Sequence, residues 1–428
     1  MKNMLNRLTA VLFALTVSIC VSGVMAESAH VTKPRIIIST DIGGTDPDDN
    51  QSIIHLMMYS DCFDIEGLVS SPSFGDGSVN ELLREIDVYE KGFPVLKKYY
   101  AGLMTPDDLR KLSKQGRKGL APYEGFGSST EGSEWIVKCA RKESDRPLYV
   151  LVWGTLEDVA QALHDAPDIK DRIRVYFIGG PNKKWGVNSY TYIAKNFPDL
   201  WMIENNATYR GLISNGKNDD GYYDKHIAGA GHMGTDFKNY YDGRVKMGDT
   251  PSLLYMMNGD PNDPTGESWG GSFERISESP YTIFDRDTNE RDSVAPYSVV
   301  EYRFTGPKVS DDNIGKEFFT FRIDRQDWPG VYIGNGNYAV RYSPKQPAKL
   351  SYETFSDIEE LNGHKGELTV TTIWPGGKTP DGITLGNNWF TDRQDPNLFE
   401  GPWQGSVTVR KFRKEVLDNW SERWSRLK

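Results

Sequence analysis

A chain of 428 residues is long enough for more than one domain, and a formal net charge of −10 with no basic block argues against nucleic acid as a partner. Six histidines and no Cys-x-x-Cys pair argue against a zinc site. Aromatic residues make up 12% of the chain, so Trp and Tyr are at hand both to fill cores and to stack on sugar rings.

The first segment has the layout of an export signal. Lys2 and Arg7 precede an apolar run from Leu8 to about Val24, and Val24-Met25-Ala26 offers a small-residue cleavage site. This predicts a signal peptide over 1–26 and a secreted or periplasmic protein, because the run is too short and wrongly flanked for a membrane span. Cys20 raises a lipoprotein alternative, but Ile19 stands where lipid attachment needs a small residue. No later stretch reaches the ~20 apolar residues of a spanning helix. Cleavage would leave Cys62 and Cys139, which either pair in an oxidising compartment or remain free thiols.

From Arg35 the chain alternates short apolar strands with helices. Arg35-Ile36-Ile37-Ile38-Ser39-Thr40 is an apolar run ending in polar residues, the pattern of a buried parallel strand. After Asn50, residues Ile53, Ile54, Leu56 and Met57 recur at helical spacing. Further strands are predicted at 65–70, 148–153, 173–178 and 200–204, and helices at 79–91, 131–141 and 156–163. The rhythm predicts an α/β fold with an open, mostly parallel sheet and helices on both faces.

The pattern changes after about residue 285. Segments 318–323, 338–342, 350–355 and 367–373 alternate polar with apolar or aromatic residues, with turn signals at Trp328-Pro329-Gly330 and Asn335-Gly336. This predicts a small antiparallel β-sandwich. Residues 407–428 return to helical spacing, with Phe412, Val416, Leu417, Trp420 and Trp424 on one face. A lone helix needs something to pack on. The expected organisation is therefore an α/β domain at 34–285, an inserted sandwich at 286–402 and a helix at 403–428 that closes back onto the α/β domain.

The strongest local signal is Ser39-Thr40-Asp41-Ile42-Gly43-Gly44-Thr45-Asp46-Pro47-Asp48-Asp49. It lies at the carboxyl end of a predicted strand, where open α/β sheets place their ligands. Carboxylates this dense repel one another unless a cation joins them, and hard oxygen donors suit Ca²⁺ or Mg²⁺. The competing reading is a solvated turn with Asp48 or Asp49 as a helix N-cap. Asp249, in Lys246-Met247-Gly248-Asp249-Thr250-Pro251-Ser252, is a second acidic point with the same N-cap alternative.

At these residues a family resemblance appears. The Asp41–Asp49 loop resembles the N-terminal aspartate signature of nucleoside hydrolases, with extra residues between the first Asp and the Asp pair. Trp153-Gly154-Thr155-Leu156-Glu157-Asp158-Val159-Ala160 resembles their central Gly-Pro-Leu-Thr-Asn segment, and Asp249 sits where their late metal Asp does. A nearer resemblance is to secreted bacterial proteins with a nucleoside-hydrolase-like domain, often described as cellulose-binding. It is carried by Asp41-Ile42-Gly43-Gly44, Val150-Leu151-Val152-Trp153-Gly154, Asn196-Phe197-Pro198-Asp199-Leu200, Gly248-Asp249-Thr250-Pro251-Ser252 and Trp269-Gly270-Gly271, within roughly 34–276. Gly405 to Trp424 resembles that domain's closing helix. Gly336-Asn337-Tyr338-Ala339-Val340-Arg341-Tyr342-Ser343-Pro344, Leu350-Ser351-Tyr352 and the run from Leu361 to Gly366 resemble an Ig-like sandwich attached to polysaccharide-degrading enzymes.

The resemblance implies one divalent ion, Ca²⁺, and a role for each matched residue. Asp41 would be a metal ligand and the base that deprotonates a water, Asp49 and Asp249 further ligands, and the backbone carbonyl of Glu157 another. Asp48 would hold sugar hydroxyls. The departures are equally specific: nucleoside hydrolases usually carry Asp where Ser39 stands and often His where Gly248 stands. Their sugar-binding Glu-x-Asn has no clean match, with Asn188 as candidate. His232 matches a His of the nearer family and is either an acid or structural. Trp153, Trp185 and Trp269 are candidates for a sugar platform, core packing being the better account of Trp153.

The expected function is a Ca²⁺-dependent glycoside hydrolase acting on a furanoside or an oligosaccharide. The alternative is a carbohydrate-binding protein that kept the fold and lost turnover, which Ser39 and Gly248 favour. Nucleoside salvage fits poorly with export and the missing acid.

Overall fold

The structure is a computed structural model that describes residues 32–214, 221–371 and 378–428. The expected signal peptide, Cys20 included, lies outside the described residues, as do Thr372 and Ile373 of the last predicted sandwich strand.

Strands β1 (Arg35–Thr40), β2 (Asp64–Ser70), β3 (Ser113–Gln115), β4 (Leu148–Val152), β5 (Ile173–Ile178) and β6 (Trp201–Asn205) form a parallel sheet in the order β3-β2-β1-β4-β5-β6. All six residues of β1 and all five of β4 are buried. Side chains alternate across a strand, so each strand feeds two cores. Ile36 and Ile38 of β1 join one cluster while Ile37 joins the other; Tyr149 and Leu151 of β4 join the first, Leu148, Val150 and Val152 the second. Helices cover both faces because each face is apolar.

The helix Asp48–Met58 buries Ile53, Ile54, Leu56 and Met57 in the first cluster. The C-terminal helix Arg413–Ser425 sends Val416, Leu417, Trp420 and Trp424 into the same cluster, with Trp420 edge-on to His55 at 5.5 Å. No helix among the described residues is long and apolar enough to cross a membrane. Cys62 and Cys139 are both free thiols.

Eight strands form a second sheet, in the order Ser293–Val294, Lys365–Val370, Ala348–Phe355, Glu317–Ile323, Gln326–Gly334, Asn337–Tyr342, Val299–Thr305, Tyr281–Phe284. Pairing is antiparallel except for the two outermost pairs. Tyr302 lies 4.7 Å from Phe321 between ring centroids, although their strands stand three places apart in the ladder. A flat sheet would separate such strands by about 14 Å. The sheet therefore folds over its own aromatic core, as a sandwich or open barrel does.

Three sequence expectations change here. Trp328-Pro329-Gly330 is not a turn; it lies inside the strand Gln326–Gly334. Pairing with Asn337–Tyr342 begins only at Val331, so Pro329 interrupts no ladder bond on that side, and the ring of Phe319 occupies the space a side chain at Gly330 would need. The hairpin turn is instead Asp324-Arg325, with φ of 52° and 59°. Finally, Trp389–Asp392, expected within the sandwich, extends the first sheet beside β6, with Phe273–Arg275 antiparallel at its edge, whereas Tyr281–Phe284, expected before the sandwich, belongs to the second sheet.

Candidate functional site

From β1 the chain winds outward one way to β2 and β3, and from β4 the other way to β5 and β6. The neighbouring carboxyl ends of β1 and β4 are therefore the switch point where an open α/β sheet forms its ligand crevice. Asp41 directly follows β1, and Trp153 directly follows β4. Gly154 permits their approach: a Cβ there would lie 2.9 Å from the Asp41 Cβ and 2.8 Å from the Pro72 carbonyl oxygen.

The loop after β1 folds back on itself. Gly44 N donates to the Asp41 carbonyl at 2.9 Å, and Gly43 takes a φ of 87° that favours glycine. Helix Asp48–Met58 then starts at Pro47, with no side-chain cap. Asp48 and Asp49 are thus first-turn residues, not N-caps, and the Thr40 hydroxyl donates to Asp49.

Gln51, on the same helix, brings in the distant acid. Its Oε1 accepts from Lys246 N at 2.8 Å and Met247 N at 3.1 Å, and its Nε2 donates to the Arg244 carbonyl at 2.8 Å. Asp249 follows at the N-terminus of Thr250–Met257, yet its side chain makes no capping bond. Its Oδ2 is buried with no partner. Carboxylate oxygens of Asp48, Asp49 and Asp249 all lie within 4.8 Å of one another. Asp49 and Ser73 stand beside the Asp41 carboxyl, and the Ser73 hydroxyl donates to Asn182.

The electrostatics follow from this crowding. Burial pushes Asp41 up to about 7. Burial also raises Asp48, Asp49 and Asp249 well above the usual carboxylate range; Asp46 adds to the rise at Asp48, Asp41 at Asp49, and Asp49, Asp48 and Asp41 at Asp249. Lys246 bonds to Asp46, and its Nζ is 4.0 Å from Asp48. One ammonium cannot neutralise this cluster. An orphaned carboxylate oxygen among hard oxygen donors fits a divalent cation.

The carboxylates floor a cavity of about 240 Å³. Trp153, fixed by its Nε1 donating to Ser252 Oγ at 2.7 Å, also lines it, as do Ser73, Phe74, Asn182, Trp185 and Tyr209. Asn182 ties the wall together: its Nδ2 donates to the Trp153 and Ile178 carbonyls at 2.5 and 3.1 Å, and its Oδ1 accepts from Ser73 at 2.7 Å. Gln326 and Lys345 reach the cavity from the second sheet.

Residues 35–273 match the family described as cellulose-binding Sde182, nucleoside hydrolase-like domain. The chain belongs to that family. The matched segment contains Asp41, Asp48, Asp49 and Asp249, while Gln326 and Lys345 lie beyond it. A nucleoside hydrolase-related hypothetical protein from Saccharophagus degradans, associated with carbohydrate metabolism, is 18% identical with a TM-score of 0.50. That match covers 79% of this chain and all of the other. A plant nucleoside hydrolase (11% identity, TM-score 0.37, 58% of this chain and 83% of that one) is also similar. So is the inosine-uridine preferring nucleoside hydrolase of Bacillus anthracis (12%, 0.38, 58% and 87%). These likenesses concern the fold. No curated protein matches the chain.

Within this family member, Asp41, Asp48, Asp49, Asp249 and Trp185 meet at the cavity, and four other expected site residues do not line it. His232 is exposed on Gly231–Phe237, a helix whose buried residues are Met233, Gly234 and Phe237. Asn188 faces Arg341 Nη1, 3.3 Å from its Oδ1. Trp269 packs against the α/β core. Glu157, whose backbone carbonyl was the expected donor, lies outside the cavity lining, and its side chain accepts from Ala121 N at 3.1 Å and Ser189 Oγ at 2.6 Å. At Gly248 a Cβ would lie 2.4 Å from Asp48 Oδ2, so a side chain there would require that carboxylate to shift. Sequence reasoning missed Ser73, Asn182, Gln326 and Lys345. Only Asn182 had a local signal, since it follows Gly179-Gly180-Pro181 at a strand's carboxyl end.

Proposed function

We propose that the protein is an exported, Ca²⁺-dependent glycoside hydrolase with a nucleoside-hydrolase-like site, acting on a furanoside or an oligosaccharide. The observation that supports it most is the convergence of Asp48, Asp49 and Asp249, with Asp41 on the same cavity and Asp249 Oδ2 unpartnered. Asp48, Asp49 and Asp249 would hold the ion, with Asp41 beside Asp49. A bound Ca²⁺ supplies Lewis-acid polarisation of a water and a grip on vicinal hydroxyls.

The chain's own groups do the rest. Asp41 accepts the proton of the attacking water at its carboxylate, whose pKa burial raises to about 7. Asp48, with a side chain 15% exposed, orients sugar hydroxyls at the mouth, and Trp185 offers a ring face. Asn182 spends its amide on Ser73 and two strand-end carbonyls, so it keeps the wall rigid. Positioning and charge stabilisation then carry the displacement, in which the water oxygen bonds to the anomeric carbon, the glycosidic C–O bond breaks and the leaving oxygen takes its proton from solvent.

A second reading, carbohydrate binding without turnover, is favoured by one observation. Among the described residues, those lining the cavity include no histidine to serve as a leaving-group acid. The family's description names cellulose binding, so β-glucans belong in any screen.

Calorimetric titration of Ca²⁺ into metal-stripped protein, wild type beside Asp49→Ala, tests the site. Binding lost in the variant supports it; no binding in the wild type sinks the metal-dependent mechanism. Furanosides and plant oligosaccharides are then screened for hydrolysis, with Asp41→Asn expected to abolish turnover. Sugar binding without hydrolysis in the wild type selects the second reading.

A further inference from the structure

A groove of about 530 Å³ adjoins the carboxylate cavity and shares Phe74, Trp185 and Gln326 with it. Its far side belongs to the second sheet: Trp328 stacks on Trp185 at 5.6 Å with planes 15° apart, and Phe74 lies 4.7 Å from Trp185. Phe74 is 56% exposed and Leu120, also on the groove, 38%, so apolar surface stands open to solvent here. Two buried polar atoms here lack partners, Gln326 Oε1 and Trp328 Nε1. Arg322 and Arg325 form a polar rim, Arg322 paired with Asp327 at 2.6 Å.

Aromatic faces beside donors and acceptors at their edges suit a ring with an apolar face and equatorial hydroxyls. We propose that this groove is a second sugar subsite, built by the inserted sheet, so that the ligand is an oligosaccharide spanning both sheets. The proposal rests on the reading of the cavity as a carbohydrate site. The first sugar enters over the carboxylates, Phe74 and Trp185 are shared between neighbouring units, and the next unit lies against Trp328 and Arg325. A nucleoside would instead place its base in the groove and need no further sugar.

The test is calorimetric titration of the Ca²⁺-loaded full chain with glucose, cellotetraose, arabinose, α-1,5-arabinotetraose and inosine. The expected result is one tetraose binding at least about tenfold tighter than its monosaccharide. Trp328→Leu and Arg325→Asn, which alter the groove and not the carboxylates, reduce that advantage below about threefold, with Ca²⁺ binding unchanged. Arg325→Asn sits on an exposed turn that tolerates Asn, so it keeps the test open if Trp328→Leu unfolds. Equal affinity for tetraose and monosaccharide, or an advantage retained in folded Arg325→Asn, overturns the subsite and leaves the carbohydrate reading standing. Tight inosine binding that weakens in Trp328→Leu assigns the groove to a base and overturns it. No binding of any sugar overturns both.

Discussion

Lys184 of the α/β domain bonds through Nζ to Asp324 of the inserted sheet at 2.7 Å, directly beside the Trp185–Trp328 stack. The ammonium is 4.7 Å from the Trp185 ring and 5.5 Å from that of Tyr342. Lys184 is 2% exposed in its side chain and Asp324 30%, so the pair pins the Asp324-Arg325 turn to the cavity rim. Asp324→Ala would leave a buried cation without its carboxylate. The full penalty for a buried pair is reduced by the exposure of Asp324, and the expected loss is about 1–3 kcal/mol in urea unfolding. Lys184→Met combined with Asp324→Ala should recover most of it.

The carboxylate cluster should lower metal-free stability. Removing one of its charges relieves repulsion among groups that are already forced toward protonation. Asp249→Asn is expected to raise the melting temperature in chelator by about 2–5 °C. In the wild type, Ca²⁺ at a hundred times its Kd should add about 2.7 kcal/mol, and Asp249→Asn should lose that increment. Thermal melts in EDTA and in Ca²⁺ read both effects; a variant that still gains stability from Ca²⁺ would remove Asp249 from the ligand set.

His55 gives an acid limb to stability. It is 1% exposed, its Nδ1 has no partner, and it stacks on Tyr59 at 4.6 Å. Burial, with the Arg423 charge adding, lowers its pKa from 6.5 to about 3. The unfolded chain then binds more protons between about pH 6.5 and 3, so His55's contribution is complete above 6.5 and falls as pH drops through that window. The loss approaches about 1.4 kcal/mol per unit below pH 6. His55→Phe should flatten this part of the pH–stability curve, and an unchanged slope would refute the assignment.

Beneath the cavity wall, Lys183 bonds to Glu204 at 2.7 Å with both side chains fully buried. Glu204 also accepts from Tyr190 at 2.8 Å, Asn206 at 2.9 Å and Trp389 at 3.1 Å. Glu204-Asn205-Asn206 has the Glu-x-Asn spacing sought for sugar binding, and here it serves this internal pair. Lys183→Met should cost about 3–5 kcal/mol by stranding the carboxylate, and adding Glu204→Gln should return part of that. Denaturant midpoints of the single and double variants decide it.

The sequence by itself determined what depends on neighbours along the chain. Apolar runs rich in β-branched residues, such as Ile36–Ile38 and Val150–Val152, favour buried strands, and the glycines between Asp41 and Asp48 permit the loop to fold back, so the parallel sheet and one half of the acidic site were legible. Tertiary structure decided which distant groups meet. Asp249 reaches Asp49 because the Gln51 side chain holds the 244–247 backbone, Gln326 reaches the cavity because its hairpin is anchored at Lys184, and Lys345 arrives on a later loop of the same sheet. His232 and Trp269 carried the right chemistry on elements that face elsewhere. Pro329 and Gly330 read as a turn until their cross-strand neighbours were known, because a missing N–H or side chain has meaning only against the strand beside it. Local patterns fix what each segment can be; side-chain reach and sheet order fix what it touches.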